Sequence, residues 1–113
     1  MVDSATTNNQ QPTTNNQKPK TMYLEIVSPE ATLFSSEVDS VVVPGVEGDF
    51  EMLTNHAAIV SILKEGNVKI TGKNIQLEED VEHKFTKSDK GVWLTINSGT
   101  IEMKDNKLII LAD

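Results

Sequence analysis

The sequence predicts an all-β fold, an antiparallel β-sandwich of about ten short strands that follows a disordered N-terminal tail. From Thr21 onward, apolar residues either alternate with polar ones or form short continuous runs. Residues that favour turns bound these segments every 8–12 positions or so, and no segment has convincing helical spacing. Short strands with aliphatic faces bury those faces by packing as two sheets, which predicts a sandwich.

Ten segments have the length and composition of strands. In chain order they are Met22–Val27, Ala31–Ser36, Val38–Val43, Asp49–Met52, Ala57–Leu63, Asn67–Thr71, Glu82–Lys87, Val92–Asn97, Thr100–Lys104 and Lys107–Leu111.

The first half of the strand region is organised around a break in its apolar pattern. The β-branched run Val41–Val43 stops at Pro44-Gly45, where proline removes a backbone donor and glycine accepts a positive φ. An acidic turn, Glu47-Gly48-Asp49, leads into the next strand, and a second apolar run covers Ala57–Leu63. The sequence therefore predicts two strands on either side of a loop whose backbone path is set by proline and glycine.

Alternation in the second half predicts which side chains face the core. In Asn67–Thr71, Val68 and Ile70 are expected to point inward. In the strand from Val92, the aliphatic residues at 92, 94 and 96 form the inner face, which leaves Trp93 at the edge of the core or as an exposed contact.

Composition limits both domain organisation and function. Residues 1–20 are almost entirely polar, so we expect a disordered leader followed by one domain over residues 21–113. The formal charge of −7, from 10 Lys and Arg against 17 Asp and Glu, argues against a nucleic-acid partner. No cysteine is present, and no apolar run approaches the roughly 20 residues that a membrane helix needs.

Candidate catalytic and metal-binding residues form no recognisable constellation. His56 follows Asn55 and lies near Glu51, but no serine or cysteine is placed as a nucleophile. The acidic run Glu78–His83 lacks the glycine and spacing of a calcium loop, and the glycines form no phosphate-binding pattern. The sequence therefore predicts no catalytic residue, no metal site and no cofactor.

Several short segments, in a fixed order, carry a family resemblance. They are Leu24–Glu30, Leu33-Phe34-Ser35, Val43-Pro44-Gly45, Glu47-Gly48-Asp49, Asn55-His56-Ala57, Leu63–Val68, Asn97–Met103 and Asn106–Asp113. Over roughly Met22 to Asp113 the chain resembles the N-terminal domain of the epsilon subunit of F-type ATP synthases.

Three departures from that family pattern are visible. The chain has Thr54-Asn55 where the family usually has Pro-Gly, and Thr100 where it has a second glycine. The segment from Lys73 to Gly91 is longer and more charged than the family pattern, which predicts a local hairpin or a loop extension there.

The resemblance implies a rotor role without chemistry of its own. A subunit of this family links the gamma subunit to the polar loops of the c-ring and supports the coupling of proton flow to ATP synthesis. By position, Ser28, His56 and Ser61 would face gamma, and Glu47 and Asp49 would face the c-ring. The protein would then lie on the cytoplasmic face of the bacterial inner membrane, attached peripherally through the complex.

Two further expectations come from the family. In many relatives an inhibitory helical hairpin follows the last strand, so a chain that stops at Asp113 would support coupling without that inhibition. The mitochondrial delta subunit is a close relative within the same family, and it too normally continues into helices.

A different class of protein has the same periodicity and acidity. It is a small acidic β-sandwich binding module, such as a carbohydrate or adhesion domain with no catalytic role. Such a module more often has a signal peptide and an exposed aromatic platform, whereas this chain has one Trp and one Tyr.

The composition change near Lys20 generates the first testable prediction. Limited proteolysis is expected to remove residues 1–20 and to leave a core beginning near Thr21. The thermal midpoint of the trimmed chain should stay within a few degrees of the full chain, because an unpacked leader contributes no burial. A large fall in the midpoint would show that the leader is packed.

Overall fold

The computed structural model describes residues 21–73 and 75–113, so the predicted leader lies outside the described residues. It contains one 3-10 turn, Glu82–Lys84, and ten strands. The strands are β1 (Met22–Val27), β2 (Thr32–Val38), β3 (Ser40–Gly45), β4 (Gly48–Leu53), β5 (Ile59–Leu63), β6 (Gly66–Thr71), β7 (Phe85–Lys87), β8 (Gly91–Ile96), β9 (Gly99–Lys104) and β10 (Lys107–Ala112). Every predicted strand is present, with ends that differ by a few residues at most.

The strands form one sheet that curls into two layers. Along the sheet the order is β2-β1-β10-β9-β5-β3-β6-β8-β7, and β4 pairs with β3 outside this path. The two ends of the path meet, because the rings of Phe34 in β2 and Phe85 in β7 have centroids 6.2 Å apart. The first layer therefore holds β2, β1, β10, β9 and β5, and the second holds the remaining strands.

One strand pair corrects the predicted antiparallel arrangement. β1 and β10 run parallel, with Leu24 opposite Leu108 and Ile26 opposite Ile110. These strands are distant in the chain, so no tight hairpin dictates their relative direction. All other pairs among the described strands are antiparallel.

The chain passes between layers at Pro44 and Gly45, which we call the Pro44–Gly45 corner. Residues Ser40–Val42 of β3 pair with β6 in the second layer, whereas Gly45 pairs with Leu63 of β5. The backbone N–H of Lys64 donates to the carbonyl oxygen of Pro44 at 2.9 Å. The corner thus joins the two layers through very few backbone contacts.

The core between the layers is mostly aliphatic, as the alternation predicted, with Phe34 and Phe85 also buried in it. The expected inward-facing residues are buried: Val68, Ile70, Val92, Leu94 and Ile96. Trp93 points the other way and is 39% exposed, with the Lys69 Nζ atom 4.8 Å from its ring centroid. Of the two positions expected for this tryptophan, the exposed one is correct.

The long segment before β8 forms the expected hairpin. β7 pairs with β8 in antiparallel register, and Ile75 and Leu77 pack against the core. The predicted strand Glu82–Lys87 is wrong in its first half, which forms the 3-10 turn. There the backbone N–H of Lys84 donates to the carbonyl oxygen of Val81, a buried residue.

Close approach between β6 and β8 generates a stability prediction. A Cβ atom on Gly91 would lie 1.8 Å from the backbone oxygen of Ile70, so Gly91→Ala has to displace a paired strand. We expect this variant to lose about 1–3 kcal/mol of unfolding free energy in urea titrations. Lys90→Ala, at the exposed neighbouring position, is the control. It should change the unfolding free energy by less than about 0.5 kcal/mol. Equal stability of the two variants would contradict the close approach.

Candidate functional site

The predicted gamma-facing residues do not form one cluster. Ser28 lies in the turn after β1, where its backbone N–H donates to the Ala31 carbonyl oxygen at 2.8 Å. His56 lies in the loop between β4 and β5, where its backbone N–H donates to the Leu53 carbonyl oxygen at 3.1 Å. The two residues sit at opposite ends of the first layer, separated by the length of β1, roughly 20 Å.

Ser61 occupies the middle of β5 but shares the inner side of the strand with Leu63. Ser61 is half-buried, and Leu63 is fully buried. The residues on either side of Ser61 point outward, since the exposed fraction is 74% for Val60 and 64% for Ile62. The outward-facing side of β5 is therefore apolar.

Glu47 and Asp49 lie at the tip of the β3–β4 hairpin. Gly45 pairs with Gly48 and Pro44 with Asp49, so only two residues connect the strands. Gly48 has a φ of 128°, which disfavours any residue with a side chain. Both carboxylates are exposed.

The strand register places this hairpin tip at the same end of the molecule as Ser28. Gly45 pairs with Leu63, Leu63 with Gly99, and Gly99 with Ala112, so these residues form one row across the sheet. Ser28 directly follows the last residue of β1, at that same end. His56 lies at the opposite end of the layer.

A group of exposed apolar residues lies on the outside of the first layer. Two neighbouring rows contribute to it: Val60 and Ile109 flank Glu102, while Ile62 and Leu111 flank Thr100. Leu111 is 53% exposed and Ile109 is half-buried. We call Val60, Ile62, Ile109 and Leu111 the outer apolar face. Single exposed aliphatic residues are ordinary, but adjacent ones on a sheet indicate a contact surface.

The sequence itself carries a signal for the outer apolar face. A strand that buries one face needs apolar residues in only one phase of its alternation. β5 and β10 instead carry apolar residues in both phases, as Ile59–Leu63 and Leu108–Leu111 show. The second phase predicts an apolar surface on the outside of the sheet.

The predicted site residues lie on surfaces that are open to contact. One ring nitrogen of His56, Nδ1, lies 2.7 Å from the carbonyl oxygen of Ala57. In residues 21–73 and 75–113, no group of three or more His, Asp or Glu side chains could hold a metal ion. Over the same residues no helix has the length and hydropathy of a membrane span. In the acidic segment, Glu82 pairs with Lys87.

Solved structures share this fold. A chain of the Tetrahymena thermophila mitochondrial ATP synthase, in its central stalk and c-ring structure, aligns with a TM-score of 0.57 at 17% identity. That alignment covers 86% of this chain and 66% of the other. A chain of the Euglena gracilis mitochondrial ATP synthase aligns with a TM-score of 0.65 at 15% identity, over 88% of this chain and 54% of the other. At these identities the likeness establishes the fold.

Sequence comparison establishes the family. Residues 21–83 match the family described as ATP synthase, Delta/Epsilon chain, beta-sandwich domain, and the chain belongs to that family. An ATP synthase epsilon chain of Campylobacter concisus is 39% identical over 92 residues, which are 81% of this chain and 60% of the relative. One from Rhodopseudomonas palustris is 37% identical, over 82% of this chain and 58% of the relative. The chain thus spans about 60% of the length of such relatives, and the resemblance seen in its motifs is confirmed.

Proposed function

We propose that this chain is the sandwich of a central-stalk rotor subunit in a proton-translocating F-type ATP synthase. It links the gamma subunit to the c-ring, performs no catalysis, and supports the coupling of proton flow to ATP synthesis. It is peripheral, on the cytoplasmic face of a bacterial inner membrane. Membership of the family and the bacterial epsilon chains among its relatives support this proposal.

The outer apolar face is the observation that carries the proposal. Fully burying an exposed aliphatic side chain contributes roughly 1.5–3 kcal/mol before the costs of association. Val60, Ile62 and Leu111 are all more than half exposed, so a partner that covers this face gains from each of them. We assign the face to gamma, the partner that the family resemblance implies for the sandwich. Val60 with Ile62 on β5 and Ile109 with Leu111 on β10 present two apolar pairs on one side of the layer, with Glu102 and Thr100 between them.

The polar residues at the ends of the layer complete the proposed gamma contact. Ser28 at one end of the layer and His56 at the other flank the outer apolar face. Ser61 lies in the strand that carries the most exposed residues of that face, with its own side chain on the inner side of the strand. Exposed polar groups at the rim of an apolar interface set orientation more than affinity.

The β3–β4 hairpin tip is the proposed contact with the c-ring. Glu47 and Asp49 place two exposed carboxylates there, where they meet the polar loops of the ring. Because the tip and the outer apolar face are separate parts of one packed sheet, both partners are held by a single stiff body. Tight packing lets such a body transmit torque with little deformation.

The alternative of an acidic adhesion or carbohydrate-binding module is not favoured. The family match covers residues 21–83, which include β1 to β6 and the hairpin tip. Trp93, which could have contributed to an aromatic platform, is covered on one side by Lys69.

The gamma assignment generates a prediction with a matched control. Ile62→Lys places a charge in the outer apolar face, and we expect affinity for purified gamma to fall about tenfold or more, which is about 1.4 kcal/mol. Thr86→Lys adds the same charge to an exposed position in β7 of the second layer and should leave affinity unchanged. Both thermal midpoints should match the wild type, since neither position is buried. Equal binding by the two variants would refute the assignment.

The c-ring assignment is tested by charge reversal. Glu47→Lys combined with Asp49→Lys should weaken retention of the catalytic complex on membranes, most clearly at low salt, because added salt screens exposed charges. The control, Glu78→Lys with Glu79→Lys, changes the net charge equally at two exposed positions outside the hairpin. If the two double variants remain membrane-bound to the same extent, the hairpin tip is not the contact.

A further inference from the structure

Two turns that are far apart in the chain meet through a pair of asparagines. The backbone N–H of Asn55 donates to Asn106 Oδ1 at 2.6 Å, and Asn106 Nδ2 donates to Asn55 Oδ1 at 3.2 Å. The carbonyl oxygen of Asn106 also accepts a hydrogen bond from the backbone N–H of Tyr23 at 2.9 Å. Asn106 thus connects three segments: the β9–β10 turn, the start of β1, and the loop of residues 54–58 between β4 and β5, which we call the His56 loop.

Both asparagines occupy backbone conformations that glycine adopts more easily. The φ angles are 68° at Asn55, 53° at Asp105 and 61° at Asn106. Asparagine and aspartate tolerate this left-handed region better than other residues with side chains. Glycine at position 55 would satisfy the backbone but would have no amide to reach Asn106. The asparagine therefore adds a side-chain contact that the turn alone does not require.

The loop that carries His56 has little else to hold it. Residues 55–58 are all exposed, so the loop gains no stability from burial. Apart from the contacts with Asn106, the loop is closed by the hydrogen bond from His56 N–H to the Leu53 carbonyl oxygen. Among the described residues, the hydrogen-bond partner of the His56 ring is the carbonyl oxygen of its neighbour Ala57. Within residues 21–73 and 75–113, the side chain of Asn106 thus makes the hydrogen bonds that tie this loop to the distant β9–β10 turn.

We propose that Asn106 is a positioning residue, which fixes the His56 loop against the β9–β10 turn and so pre-orders it for binding. The value of that order for binding rests on the proposed function, in which His56 flanks the gamma contact. A loop that is ordered before association loses less conformational freedom on binding. The asparagine pair thereby connects the His56 loop, at one end of the outer apolar face, to the strands of the first layer.

The test compares two glycine substitutions in the same turn. Asn106→Gly and Asp105→Gly both place glycine at a left-handed position, but only the first removes the bonds to Asn55. We expect Asn106→Gly to speed amide hydrogen exchange at Asn55 and His56, and to weaken gamma binding about threefold to tenfold. Asp105→Gly should change neither quantity. If these residues mattered only for the shape of the turn, both variants would change the exchange rates and the gamma affinity equally.

Two finer variants keep the proposal testable if Asn106→Gly folds poorly. Asn106→Asp retains an acceptor for the Asn55 N–H but loses the donor, so exchange at Asn55 should stay slow. Asn55→Gly keeps its backbone donor and loses only the side-chain acceptor, so its effect should be smaller than that of Asn106→Gly.

The outcomes separate the two proposals. If exchange at Asn55 and His56 is the same in Asn106→Gly and Asp105→Gly, the positioning role is wrong. If the loop exchanges faster only in Asn106→Gly but the wild-type chain does not bind gamma, the proposed function fails while the positioning role stands. Faster exchange in Asn106→Gly together with unchanged gamma affinity would show that the ordered loop takes no part in binding, and would overturn that part of the proposal.

Discussion

The Pro44–Gly45 corner is the constraint on which the rest of the structure depends. One continuous sheet can bury its apolar side only by folding over, and β3 makes that crossing with a single residue pair to β5. The corner leaves almost no space: a Cβ atom on Gly45 would lie 2.7 Å from a ring carbon of Phe50, and one on Gly66 would lie 2.7 Å from Pro44 Cβ. The Pro44 carbonyl, which the crossing buries, is satisfied by Lys64.

The position of the corner determines where the surfaces lie. Because β3 turns there, its hairpin with β4 projects beyond the row that runs from Leu63 to Ala112. β5 then joins the first layer beside β9, which brings Val60 and Ile62 alongside the outward residues of β10. This one crossing therefore positions both the charged β3–β4 hairpin tip and the outer apolar face, and it fixes the position of one relative to the other. The proposed role, in which the chain links two partners, requires such a fixed relation.

Much of the fold could be predicted because strand periodicity is local. The alternation in β6 and β8 identified the inner face correctly, and the turn residues at 45–49 placed Glu47 and Asp49 in an exposed hairpin. In β5 the same rule could not assign sides, because apolar residues fill both phases; Ser61 was expected on a binding surface and lies on the inner side. The parallel pairing of β1 with β10 and the bonds between Asn55 and Asn106 join distant segments. No local pattern encodes such contacts.

Site-specific labelling tests the central claim, that the outside of the first layer binds gamma, most directly. The chain has no cysteine, so Ile62→Cys and Thr86→Cys each introduce a single reactive thiol, one on each layer. The measurement is the rate of maleimide modification with and without purified gamma. Gamma should slow labelling strongly at position 62 and leave the rate at position 86 unchanged. Equal rates at position 62 in the presence and absence of gamma, under conditions where the two proteins co-purify, would contradict the account.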